Sequence, residues 1–205
     1  MGRINAVIFD VGDVLFPWTP RRLYERLIED DQALDAFMRD VVSANWHFQH
    51  DLGRPFAETS AALIACHPQH AALIRLWGER FVDTIGPPMD GMMDIVADLH
   101  ANRVPLFGLT NFSAEFWVPF RAREAAFFAP FRDILVSGEE GLAKPDPAIY
   151  RLALDRFGLR AGDTLFVDDR AVNVEAARRE GLQAIQFSDA AALRTELNDL
   201  GLLPR

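Results

Sequence analysis

Cysteine and lysine are almost missing: 205 residues contain one of each, Cys66 and Lys144. A single thiol excludes an internal disulfide and a cysteine-built zinc centre, and it fits a reducing compartment. Long hydrophobic runs are absent too. No apolar stretch is long enough to span a bilayer, and the N-terminus lacks the charged, apolar and cleavage regions of a signal peptide, so a cytoplasmic location is expected. Positive charge is in short supply. With 21 basic against 30 acidic residues, the formal charge is -9 and the pI about 5.0. Nucleic acid and anionic membrane surfaces would repel such a chain, which argues against both as partners. An anionic small substrate remains compatible where a local cation offsets that field. There is no internal repeat, no low-complexity segment and no GxGxxG or GxxxxGKS spacing, so neither a dinucleotide cofactor nor a nucleotide P-loop is supported.

What is present begins with a core. Half of the residues are hydrophobic, enough for one large domain or one domain carrying an insertion. Short apolar runs at 4–9, 104–109, 134–136, 164–167 and 182–187 have the pattern of strands buried on both faces of a parallel sheet. Helical patterns lie between them at 89–101, 113–126, 147–157 and 173–180, with Gly158 and Gly181 as stops after the last two. Strands alternating with helices predict an α/β fold with an open parallel sheet, in which ligands bind beyond the carboxyl ends of the strands. From Arg21 to about Ile85 only helix-like segments occur (RRLYERLI, QALDAFMRDVVSA, PFAETSAALIA, HAALIRLWGERFVDTI). This predicts a helical insert, with Pro17 and Pro87-Pro88 as hinges. Its aromatic residues Trp46, Phe48, Phe56 and Trp77 are expected to pack a core unless they face the body. A closing helix is expected after a cap at Ser188 or Asp189.

The strand ends carry the polar residues. VIFDVGDVLF places Asp10 at the end of the first run, LTNFS places Thr110 and Asn111 at the second, and FVDDR places Asp168 and Asp169 at the fourth. Lys144 follows the third, in GLAKPDP. Of the 21 basic residues 20 are arginine, so this position is one where a compact ammonium stands in place of the planar guanidinium used everywhere else. One Asp at a strand end is ordinary turn or cap chemistry. Three carboxylates at two strand ends, with a hydroxyl and the only lysine, call for a further reason.

These residues resemble the four motifs of the haloacid dehalogenase superfamily of hydrolases: VIFDVGDVL the first, LTN the second, the lysine of GEEGLAKPDPAIY the third and FVDDRAVNVEAARREG the fourth. The resemblance implies a Rossmann-like α/β body over residues 1–16 and 88–205 and an all-helical cap domain over 17–87. It implies a Mg²⁺-dependent phosphatase acting on a small phosphate ester, a sugar phosphate among the candidates, through an aspartyl-phosphate intermediate. Asp10 would be nucleophile and metal ligand, and Asp169 the second carboxylate ligand. Asp168 would hold metal-bound water or Lys144, and Gly12 would lend its carbonyl. Thr110 and Asn111 would bind the phosphoryl oxygens, and Lys144 would neutralise charge on Asp10 and substrate. The physical need is clear: a carboxylate attacking a dianion requires positive charge to screen the repulsion, and a hard divalent cation with oxygen ligands provides it.

The pattern departs at one place. Phosphatases of this superfamily carry an aspartate two residues after the nucleophile as general acid and base, and here that residue is Gly12. Losing such a group costs about 10²- to 10⁴-fold in rate. Asp13, one residue further on, is a weaker candidate for the same task. Asn173 is expected to cap its helix rather than contact Asp168. Two rivals stand beside the phosphatase: a metal-free 2-haloacid dehalogenase using the same aspartate, disfavoured because Asp168 and Asp169 would repel a carboxylate substrate, and a catalytically weak binding member of the fold. Of the five histidines, four (His47, His50, His67 and His70) fall among surface-type turns of the insert and none belongs to an HExxH pattern, so all five, His100 included, are expected to be ordinary. SGEEG (137–141) is expected to be a turn that positions Lys144. The assembly is expected to be a monomer or a homodimer.

Overall fold

A computed structural model describes residues 4–204; residues 1–3 and 205 of the expected α/β body lie outside the described residues. Strand β1 (Ala6–Phe9) enters the centre of the sheet with all four side chains buried. Helices α1 (Arg21–Tyr24), α2 (Asp31–Asp40), α3 (Ala44–Asp51), α4 (Phe56–Cys66) and α5 (Ala71–Arg80) follow without an intervening strand. Then α6 (Met92–Ala101), β2 (Leu106–Thr110), α7 (Ala114–Arg123), α8 (Ala125–Phe128), β3 (Phe131–Val136) and α9 (Ser137–Glu140) build one half of the body. The other half is α10 (Pro147–Phe157), β4 (Thr164–Asp168), α11 (Ala171–Arg179), β5 (Gln183–Gln186) and α12 (Ala190–Asp199).

The five strands are parallel in the order β3-β2-β1-β4-β5. Alternation along β1 divides the core: Val7 and Phe9 face α6, α7, α8 and α12, whereas Ala6 and Ile8 face α10 and α11. Chain order reverses on either side of β1, so the crevice at its carboxyl end lies at a topological switch point. The expected α/β parallel sheet is therefore the observed one.

Local chemistry explains the element ends. Asp30, Asp146 and Asp189 cap α2, α10 and α12 by accepting from Ala33 N (2.7 Å), Ala148 N (2.8 Å) and Ala192 N (2.8 Å). Gly158 closes α10 at φ +64°, a left-handed turn that costs glycine least. Several expectations need correction. The pattern at 113–126 is two helices broken at Glu124. RRLYERLI yields only the single turn α1, SGEEG is one helical turn closed by Gly141 at φ +66°, and α3 was not expected at all.

The helical segment joins the body through two chains that pair with each other. Trp18 and Ile85 form an antiparallel bridge, Gly86 N donates to Pro17 O (2.9 Å) and Thr19 N to Thr84 O (3.0 Å). Behind this junction a run of rings continues from the helices into the body, with Phe81 stacked on Phe116 at 4.5 Å. The apolar core is thus continuous across it.

Candidate active site

Asp10 is the residue at which β1 stops pairing: its N donates to Val167 O (2.8 Å), and its side chain then turns into the crevice. Lys144 reaches the same place from the loop before α10. Its Nζ lies 2.8 Å from Asp10 Oδ1 and 2.7 Å from Asp168 Oδ2, with 1% of the residue exposed. Asn111 secures that loop in both directions, donating from Nδ2 to Lys144 O (2.9 Å) and accepting from Lys144 N at Oδ1 (2.8 Å). These two bonds hold the backbone of Lys144 in place, and Asn111 also borders the crevice. Thr110 is buried at the end of β2.

Asp168 closes β4 and is fully engaged. Besides Lys144 it accepts from Arg170 N (2.9 Å) and from Asn173 Nδ2 (3.0 and 3.1 Å). This corrects the capping expectation for Asn173: it sits inside α11 and braces Asp168. Asp169 is half-buried beside it, its carbonyl accepting from Gln186 Nε2 (3.0 Å). Carboxylate oxygens of Asp10, Asp168 and Asp169 all lie within 4.8 Å of one another.

Three acids against one ammonium leave an excess of buried negative charge. Burial pushes the Asp10 carboxyl up to about 8, against the pull of Lys144 and with the push of Asp168. Burial, Asp168 and Asp13 raise Asp169 as well. Burial acts upward on Asp168 too, but Lys144 and the Arg170 and Asn173 donors outweigh it and hold that carboxyl below its usual range. Lys144 is disfavoured by burial, yet Asp10 and Asp168 keep it charged. Hard oxygen donors with uncompensated charge, converging at this spacing, suit a hard divalent cation.

Above the acids is a cavity of about 180 Å³. Asp10, Gly12, Lys144 and Asp169 form its polar floor; Phe16, Trp18, Phe48, Phe81, Ile85, Phe112 and Phe120 make most of its wall. Gly12 has a backbone that does not require glycine, and a Cβ there would meet nothing within 4 Å. Asp13 adopts φ +53° and accepts from Trp18 N at 2.9 Å, so its carboxylate fastens the junction.

The histidine expectation needs the largest correction. His47 and His50 lie on α3, and both are buried. His47 sits between the rings of Trp18 (4.8 Å) and Phe81 (5.6 Å) and lines the cavity with Asp51. His50 Nε2 is 2.6 Å from Thr59 Oγ1. Asp51 was missed altogether. The available signal was the i, i+4 spacing of His47 and Asp51, which places both on one face of a helix once α3 is recognised.

Residues 4–181 match the family model described as haloacid dehalogenase-like hydrolase. The sesquiterpene phosphatase astK of Aspergillus oryzae is 27% identical over 202 residues, covering 96% of both chains. Flavin mononucleotide hydrolase 1 of Arabidopsis thaliana is 29% identical over 114 residues, 56% of this chain and 46% of its own. Among solved structures, a haloacid dehalogenase family enzyme from Bacteroides thetaiotaomicron, in complex with magnesium and inorganic phosphate, superposes with a TM-score of 0.70 at 18% identity, over 91% of this chain and 95% of that one. The L-2-haloacid dehalogenase of Xanthobacter autotrophicus gives 0.65 at 18% identity, over 98% and 85%. At those identities the structural likenesses show the fold.

Proposed function

Because the chain belongs to the haloacid dehalogenase-like hydrolases, we propose that it is a phosphatase that cleaves a small phosphate ester through Asp10, with Mg²⁺ as cofactor. The observation that carries this is the meeting of Asp10, Asp168 and Asp169 within 4.8 Å, beside Lys144. Its fit to a hard cation weighs against the metal-free dehalogenase, whose carboxylate substrate three acids would repel. The full-length likeness to a phosphatase supports the same choice.

Asp10 and Asp169, with the Gly12 carbonyl, would hold the magnesium ion, and Asp168 contributes charge while its oxygens stay bonded to Lys144, Arg170 N and Asn173. When bound, the ion supplies the positive charge that lets a carboxylate approach a phosphate dianion. One Asp10 oxygen attacks phosphorus and the alcohol departs, leaving an aspartyl phosphate that water then hydrolyses. Lys144 stays paired with Asp10 and neutralises the charge that accumulates during transfer. Thr110 and the Asn111 backbone flank the phosphoryl group. The helical segment 17–87 acts as the cap that walls in the leaving group.

The wall also narrows the substrate. Hydroxyls of a sugar would meet mainly rings and aliphatic side chains, with few polar groups such as His47 and Asp51 to pair them, and each one left unpaired would cost about 1–3 kcal/mol. An apolar alcohol is favoured instead, in keeping with the relative that acts on a sesquiterpene substrate. The test is phosphate release from alkyl, sugar and aryl phosphates with Mg²⁺, beside Asp10→Asn. Expected are metal-dependent release by the wild type, fastest on apolar esters, and none by the variant. Equal release by both proteins would overturn the assignment of Asp10.

A further inference from the structure

We propose that Asp51, on α3, is the proton-transferring catalytic residue of this site, doing from the helical segment what Gly12 cannot do from the body, with His47 as its positioning partner. The inference deepens the phosphatase reading and rests on it.

The site lacks a proton donor where one is needed most. An apolar alcohol is a poor leaving group as its alkoxide, so cleavage depends on protonating its oxygen as the bond to phosphorus breaks. Gly12 has no side chain, and the space a Cβ would occupy is open. Asp13 is tied to Trp18 N at 2.9 Å. Asp51 lines the same cavity as Asp10 and Gly12. Its side chain is 8% exposed, its Oδ1 has no hydrogen-bond partner, and His47 Nε2 lies 3.5 Å from that oxygen. His47 Nδ1 is unpartnered as well. An acid at the C-terminal end of a helix faces the negative end of the dipole. Neither burial nor position favours this carboxyl structurally.

Its backbone, by contrast, is firmly held. Ser137 Oγ donates to Asp51 O at 2.6 Å and accepts from Phe112 N at 2.9 Å. That clamp ties the last residue of α3 to the loop after β2 that carries Asn111, so the acid belongs to the strand ends even though its helix does not. The charged and titratable groups that share its cavity are Lys144, Asp10 and Asp169 from the floor, Asp13 from the loop after β1, Arg170 from the start of α11 and His47 from its own helix. Burial pushes the Asp51 carboxyl up to about 7, against the pull of Lys144, and burial beside His50 keeps His47 neutral. Of the pair, the carboxyl group rather than the imidazole is the one able to carry a proton near neutral pH.

The steps balance. As Asp10 forms its bond to phosphorus and the ester P–O bond breaks, Asp51 gives its proton to the departing oxygen, yielding the alcohol and a carboxylate. Asp51 then takes a proton from the water that attacks the aspartyl phosphate, which releases phosphate and restores the acid.

The experiment compares kcat/KM for hexyl phosphate and para-nitrophenyl phosphate, with Mg²⁺, in the wild type and Asp51→Asn. A general acid matters for the alkyl ester and little for a nitrophenolate that leaves unaided. The expected result is a fall of about 10²- to 10⁴-fold on hexyl phosphate and a much smaller one on the aryl ester. A burst of nitrophenolate should follow in the variant, because its aspartyl phosphate is hydrolysed slowly. Asp51→Asn/Gly12→Asp, which returns a carboxyl group to the open space in the body, should restore most of the alkyl activity. Equal falls on both esters, or no fall, would overturn the role of Asp51 while leaving the phosphatase reading intact. A wild type silent on both esters would overturn that reading, and this inference with it.

Discussion

His50 is buried beside aromatic rings, and its imidazole is held neutral by that burial and by the charge of Arg54, its pKa lowered from 6.5 to about 4. Below 6.5 the unfolded chain protonates this ring while the folded chain does not, so the unfolded state binds more protons and stability falls as pH falls through that window. His50→Gln keeps a polar partner for Thr59 and removes the titration. Urea denaturation should show the variant losing about 1.4 kcal/mol less per pH unit than the wild type between those limits. Parallel declines would contradict the assignment. At this scale the sequence is informative where residue type is rare: Lys144 stands out among arginines and lies between two carboxylates. It is silent where the environment decides. Nothing in the letters distinguishes His47 and His50, buried on a helix, from His67 and His70 near the surface, or tells whether Asn173 will cap its helix or brace Asp168.

At the scale of elements, the active-site crevice depends on how α3 meets the loops after β2 and β3. Ser137 is the joint, since its hydroxyl serves both Asp51 O and Phe112 N inside the protein. Ser137→Ala would leave both buried groups short of a partner, and urea denaturation should record a loss of about 1–3 kcal/mol. A change of only a few tenths would mean that water replaces the hydroxyl. The strands were legible because each is a short apolar run buried on both faces, though their ends moved by a few residues. Helix α3 was not: ANWHFQHD has no clear apolar stripe, and its helicity comes from the Ser43 cap (3.3 Å to Trp46 N) and from packing against neighbours that sequence alone does not place. The break at Glu124 was equally hidden, because no glycine or proline marks it: the one proline of 113–126, Pro119, lies inside α7.

Across the whole molecule, the order of the strands decides where buried charge collects. The chain carries a formal charge of -9, and three of its acids meet at the carboxyl ends of β1 and β4, where the order of strands reverses. The alternation of strands and helices and the clustering of polar residues at strand ends were sufficient to foresee this crevice. The wall was not foreseeable, because it depends on which faces of α3 and of the segment after α5 turn inward. Among the described residues no helix is long and apolar enough to cross a membrane. The arrangement proposed above is one divalent cation site formed by Asp10, Asp168 and Asp169 beside Lys144. Isothermal titration of Mg²⁺ into the wild type and into Asp10→Asn and Asp169→Asn tests it without reference to any substrate. A single saturable binding event is expected in the wild type, lost or greatly weakened in both variants. A wild type that takes up no magnesium, or variants that bind it as well as the wild type does, would contradict it.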